Sequence, residues 1–196
     1  MNGLLVVSFI IWLYILSVLK RGKLDFWYFC LGSVGLFIFL IATLGQVVVE
    51  PLSKAVTAVA GIIGNLTGLY RSNFQYGMLF IQKGLSSISL YIDFECAGVI
   101  EMVAFTSLLW FFPVYKLHEK IAINIVGAAI IFIGNVIRIF VIAVMIRIFG
   151  NDIYYVAHTI IGRFIFYGFS IVLYYYVFTK GQIQRQRVGG FKYEHC

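Results

Sequence analysis

Five blocks of apolar residues run through the chain, and each has lysine or arginine at one end. They extend from Leu4 to Leu19, Phe26 to Leu44, Ala97 to Phe112, from just after Lys120 to Ile148, and from His158 to near Lys180. A helix crosses a hydrocarbon core of about 30 Å in roughly 20 residues, so the pattern predicts five transmembrane helices. Between the second and third blocks it changes. Residues Pro51 to Tyr70 are rich in Ala, Gly and Val but carry Lys54 and Asn65, which predicts an interfacial or re-entrant helix. Residues Asn73 to Phe94 alternate loosely, as in Ser89-Leu90-Tyr91-Ile92-Asp93-Phe94, which predicts a small β-hairpin against the outer leaflet. The expected fold class is an all-α integral membrane protein. One polytopic domain fills residues 1–196, with an extracytoplasmic insertion at about 46–95 and a basic tail at about 180–196.

Composition supports this class: 62% of the residues are hydrophobic and 12% charged, too little polar surface for a soluble domain of this length. No lysine or arginine precedes the first apolar run, so that run reads as a retained helix and not as a cleaved signal. The 15 basic against 8 acidic residues do not point to nucleic acid. The bases sit beside helix ends, where topology and anionic lipid account for them.

Their distribution sets the expected orientation. Lys20, Arg21 and Lys23 form one cluster, Lys116 and Lys120 a second, and Lys180, Arg185, Arg187 and Lys192 a third. Five spans put all three clusters in the cytoplasm together with the C-terminus. The opposite face then receives Lys54, Arg71 and Lys83 with Glu50, Asp93, Glu95 and Asp152. Counting 51–70 as a sixth span would send the last two clusters outside.

Candidate chemistry collects on that opposite face. Lys116 back to Cys96 is 20 residues, Lys120 to Arg138 is 18 and His158 to Lys180 is 22, which correspond to about 30, 27 and 33 Å of helix. A thiol, a guanidinium and an imidazole therefore reach nearly one level at the outer edge of the hydrocarbon. Cys96 is expected at the N-terminus of its helix, where dipole and free amides favour a thiolate. Gly98 would permit close approach of a substrate backbone. Arg138, with Asn135 on the same helical face, is costly in a span unless paired or hydrated, so it is a functional candidate against a structural ion-pair role. His158 beside a thiol of equal depth can act as general acid or base. Glu101 is expected to pair with Arg138 or Arg163, and Arg147 to anchor at the interface. Cys30 reads as a packing residue and Cys196 as an exposed tail thiol. His118 and His195 belong to cytoplasmic segments. One His and one Cys make no metal-ligand set, and neither metal nor cofactor is expected.

Glu95-Cys96-Ala97-Gly98, then Asn135-Val136-Ile137-Arg138, then His158 with Gly162 resemble the exosortase/archaeosortase family in order, spacing and membrane position. The short chain and basic tail look most like its Gram-positive exosortase G branch. The resemblance covers about Tyr70 to Phe178. It implies a membrane thiol transpeptidase or protease in the bacterial cell membrane. Cys96 would be nucleophile, His158 proton-transfer partner and Arg138 stabiliser of oxyanion charge, with Gly98, Glu101, Asn135 and Arg163 in support. The implied substrate is a membrane-anchored protein with a C-terminal transmembrane helix, passed through a thioacyl enzyme to an unknown amine acceptor or to water, while anionic lipid meets the basic tail. The family's usual Cys-Ser-Gly is Cys-Ala-Gly here, so that hydroxyl is absent. Archaeal relatives carry Arg at the position of His158. The alternatives are an envelope acyl or glycan transferase using the same thiol, and a non-catalytic scaffold or transporter component with a polar cavity lined by Arg138, Arg163 and Glu101.

Overall fold

The computed structural model describes residues 3–83, 86–92 and 96–183. Asp93, Phe94 and Glu95 lie outside the described residues, as do Arg185, Arg187, Lys192, His195 and Cys196 of the tail. The elements are α1 (Gly3–Arg21), α2 (Asp25–Thr67), β1 (Arg71–Asn73), β2 (Met78–Lys83), β3 (Ser86–Tyr91), α3 (Val99–Phe111), α4 (Leu117–Phe149) and a last helix, α5 (Tyr154–Ile183). Two stretches of α5, Ala157–Ile161 and Tyr175–Lys180, are wound as π-helix.

The five expected spans fall on α1, the first part of α2, α3, α4 and α5. By length and composition, 25–45, 47–67, 117–149 and 154–183 are each able to cross a membrane, whereas α3 has only 13 residues, about 20 Å of helix. The chain is a multi-pass, predominantly helical membrane protein.

The segment expected to be a separate interfacial or re-entrant helix is not separate. It continues α2 without a break through Pro51, giving a 43-residue helix of about 65 Å. Pro51 lacks the N–H that would bond back to Val47, yet the helix holds because its second half is clamped from outside. Ser53 Oγ donates to the Ile92 carbonyl at 2.6 Å, and the Tyr70 hydroxyl donates to the Ala60 carbonyl at 2.7 Å. Gly61 and Gly64 leave room for Ser72 and the Tyr70 ring, which a Cβ would strike. Gly68, at φ 67°, ends the helix in the left-handed region that glycine tolerates.

The expected hairpin is β2–β3, and β1 extends it to an antiparallel sheet in the order β1-β2-β3. Leu79 pairs with Leu90 and Ile81 with Ile88. Leu79, Ile81, Leu90 and Ile92 are buried, while Phe80 and Tyr91 point outward, the alternation of a sheet with one packed face. That face rests on protein and not on the outer leaflet as expected: it shares a core with Val56, Ala60 and Tyr70, and with Ile139, Ile142, Ala143 and Ile146 of α4. The second half of α2, the sheet and the end of α4 thus form a cap at one end of the helices.

The described members of the basic clusters mark the other end. Lys20 and Lys120 line one cavity there, beside Asp25 and Tyr115. The Tyr115 hydroxyl donates to the Val177 carbonyl, three residues from Lys180. Aromatic contacts fasten this end: Phe111 meets Trp12 and Tyr28, and Phe112 meets Phe29 and Phe178.

Burial pushes the Tyr70 phenol from 10.0 up to about 12. A group whose folded pKa is raised contributes stability that is whole below its unfolded value and is lost as pH climbs through the folded value. Thermal unfolding in detergent is therefore expected to hold steady up to pH 10 and to weaken between pH 10 and 12. Tyr70→Phe reduces that alkaline slope and costs about 1 kcal/mol at neutral pH through the lost hydrogen bond.

Candidate active site

The site sits where the cap meets the helices. Cys96, Ala97 and Gly98 form a turn between the sheet and α3. The first helical residue is Val99 and not Ala97, so Cys96 stands before the helix N-terminus and not within its first turn. Gly98 is the cap residue at φ 78°, a conformation that disfavours any side chain. Its close neighbour is also specific: a Cβ there would lie 3.4 Å from Asn135 Nδ2. The tight approach at Gly98 in this structure is thus made by Asn135.

Asn135 is fully buried on α4, and its Nδ2 donates to the Cys96 carbonyl. This bond ties the turn to α4. Cys96 itself is 5% exposed, and its Sγ lies 3.0 Å from His158 Nε2. The histidine occupies the π-helical stretch of α5; such local widening redirects a side chain and recurs at functional sites. Tyr154, one turn earlier, stacks on the imidazole at 5.7 Å between centroids and 13° between planes.

Arg138 is one turn beyond Asn135 and is 5% exposed. Its guanidinium carbon lies 6.0 Å from the centre of the Phe166 ring. Gly162 makes this possible, since a Cβ there would fall 3.2 Å from Arg138 Nε and 2.8 Å from Ile142 Cδ1. Among the described residues Arg138 Nε has no hydrogen-bond partner, and a buried donor left so is costly. Arg138 lines a cavity of about 240 Å³ with Ile100, Glu101, Arg163, Phe166 and Tyr167. Glu101, in the first turn of α3, also suits the positive end of that helix.

The sequence-derived residues therefore fall into two adjacent groups. Cys96, Gly98, Asn135 and His158 are in direct contact. Arg138, Glu101 and Arg163 surround the neighbouring cavity. Arg147 is elsewhere, at the tip of the cap beside Tyr70 and Arg71. Tyr154 and Phe166 are site residues that the sequence reading passed over. The spacing Tyr154–His158 was the available signal, because residues four apart share a helical face, but it requires α5 to begin at Tyr154.

Removing either half of the turn's anchor is expected to be felt. Gly98→Ala forces a left-handed alanine at about 1–2 kcal/mol, and Asn135→Ala removes the hydrogen bond to the Cys96 carbonyl at about 1 kcal/mol. Both appear as lowered melting temperatures in detergent, accompanied by faster alkylation of Cys96 as the turn loses a tie to α4.

A family model described as Transmembrane exosortase (Exosortase_EpsH) matches residues 1–176. No curated protein and no solved structure matches the chain. With that match running from α1 through the Cys–His contact and most of α5, the chain belongs to the transmembrane exosortases, a family of membrane-embedded transpeptidases and proteases.

Proposed function

We propose that the protein is a cysteine transpeptidase or protease that cleaves membrane-anchored proteins near a C-terminal transmembrane helix and transfers them through a thioacyl intermediate. One observation carries this reading: Cys96 Sγ and His158 Nε2 are 3.0 Å apart, within reach for proton transfer between a nucleophile and its base. Family membership over 1–176 supports the same class of reaction.

In this reading the Cys96 sulfur attacks the scissile carbonyl, and His158 holds the thiol proton. The carbonyl oxygen becomes an oxyanion, for which Arg138 supplies fixed positive charge. Collapse breaks the C–N bond, and the leaving amine takes the proton from His158. The acyl group is now a thioester on Cys96. An acceptor amine, or water, attacks it next, gives up its proton to His158 and releases Cys96. The turn held by Asn135 and Gly98 keeps the sulfur in place, and Tyr154 restrains the imidazole plane. The basic clusters at the opposite end favour a cytoplasmic position for that end and an outward-facing Cys96.

Cys96→Ala is expected to abolish processing of membrane-anchored surface proteins, a loss of roughly 10⁴-fold or more, with normal expression and melting. His158→Gln should slow it by about 10²–10⁴-fold. Processing that survives Cys96→Ala at normal protein levels contradicts the assignment.

A further inference from the structure

Helix α3, which begins just after Cys96, and helix α5, which carries His158, meet at both ends of a gap. At the site end they meet through Cys96 and His158. At the basic end they meet through Phe105 with Tyr174 and Phe178, and Phe112 with Phe178. Between these contacts lies the 240 Å³ cavity, with Ile100 and Glu101 on the α3 wall, Arg163, Phe166 and Tyr167 on the α5 wall, and Arg138 of α4 as its floor. Ile100 is four residues on from Cys96, and Arg163 is five residues on from His158. The cavity is therefore the space next to the reactive pair on the side facing the spans. Arg163 and Tyr167 are exposed, so its mouth opens sideways, toward lipid.

The polarity of this opening calls for an explanation. An exposed arginine about 7.5 Å along a span from His158 is costly in lipid unless something polar faces it. On the floor, the buried Arg138 Nε has no partner among the described residues, and Arg138 borders the cavity. Arginine is donor-only, so beside the Glu101 carboxylate the two guanidinium groups keep donors to spare for a ligand that brings acceptors. A peptide about to be cut supplies them. To expose a carbonyl to Cys96 its helix must unwind, and unwound backbone at membrane depth is tolerated only where protein satisfies the freed groups.

We infer that the gap between α3 and α5 is a lateral entry port, which admits an unwound stretch of a membrane-embedded peptide from the bilayer and caps its freed carbonyls with Arg138 and Arg163. This rests on the function proposed above for the identity of what enters. Access itself can be measured without catalysis.

The test uses the full-length protein in phospholipid nanodiscs and follows alkylation of Cys96 by peptide mapping. One maleimide carries a long alkyl chain and resides in lipid; the other is sulfonated and stays in water. In the unmodified protein the lipid-borne reagent is expected to label Cys96. Filling either wall, with Ile100→Trp or Tyr167→Trp, should slow that reagent about tenfold, a barrier rise of about 1.4 kcal/mol, and leave the sulfonated reagent's rate unchanged. A synthetic Leu/Ala membrane-spanning peptide interrupted by Gly-Gly-Pro should protect Cys96 from the lipid-borne reagent, and its uninterrupted counterpart should not. Absence of lipid-borne labelling in the unmodified protein overturns the port whatever the variants do, as does equal slowing of both reagents in both variants. Equal protection by the two peptides, or by neither, overturns the unwound occupant. Labelling that follows the expected pattern while Cys96→Ala retains processing would leave the port standing and remove the enzymatic reading.

Discussion

One hydrogen bond fixes the candidate nucleophile. Cys96 belongs to no helix; it sits in a three-residue turn that leads into α3. The Asn135 side chain, fully buried on α4, donates to the Cys96 carbonyl and makes the turn part of the helix packing. Gly98 lets Asn135 come that close and accepts the positive φ that the turn needs. The position of the sulfur relative to His158 follows from this anchor, because α4 also packs along α5 through Gly134, Ile142 and Gly162. Three helices are registered against one another at the level of a single side-chain amide.

The cap explains how so small a chain keeps this arrangement. Inside a bilayer the apolar residues gain little by leaving lipid for protein, so packing and polar contacts must hold the helices. Above that level α2 and α4 run on, to 43 and 33 residues respectively, and the sheet folds down between them. Burying Leu79, Ile81, Leu90 and Ile92 there contributes about 1.5–3 kcal/mol for each side chain removed from water. The same core includes Cys96, Ala97, Val99 and Ala157. The site is thus built on the lower face of the cap, and its candidate reactive groups inherit the cap's rigidity.

The sequence disclosed the apolar blocks, the clustering of lysines at one end and the residues that meet at the site, because each leaves a local mark: a run of apolar residues, a charge, or a costly polar group in a span. It was less informative where structure depends on partners distant in sequence. Pro51, Lys54 and the small residues after them suggested a separate surface helix; only contacts from Ser72, Tyr70 and Ile92 show why α2 continues. β1 is three residues long and exists because β2 pairs with it. Counting from the lysine anchors gave Cys96, Arg138 and His158 a common depth, yet depth alone could not separate them. The structure joins the thiol to the imidazole and turns the guanidinium toward the neighbouring cavity, a distinction set by side-chain direction along α4 and by the glycine at 162.

The central claim is that Cys96 takes up an acyl group from a peptide. Protein in its host membranes, quenched in acid during turnover and digested, can be examined by mass spectrometry for adducts on each cysteine. The account predicts a peptide acyl group on Cys96 that hydroxylamine releases, with Cys30 unmodified. Ongoing turnover with an unmodified Cys96, or with the acyl group on another residue, would contradict it.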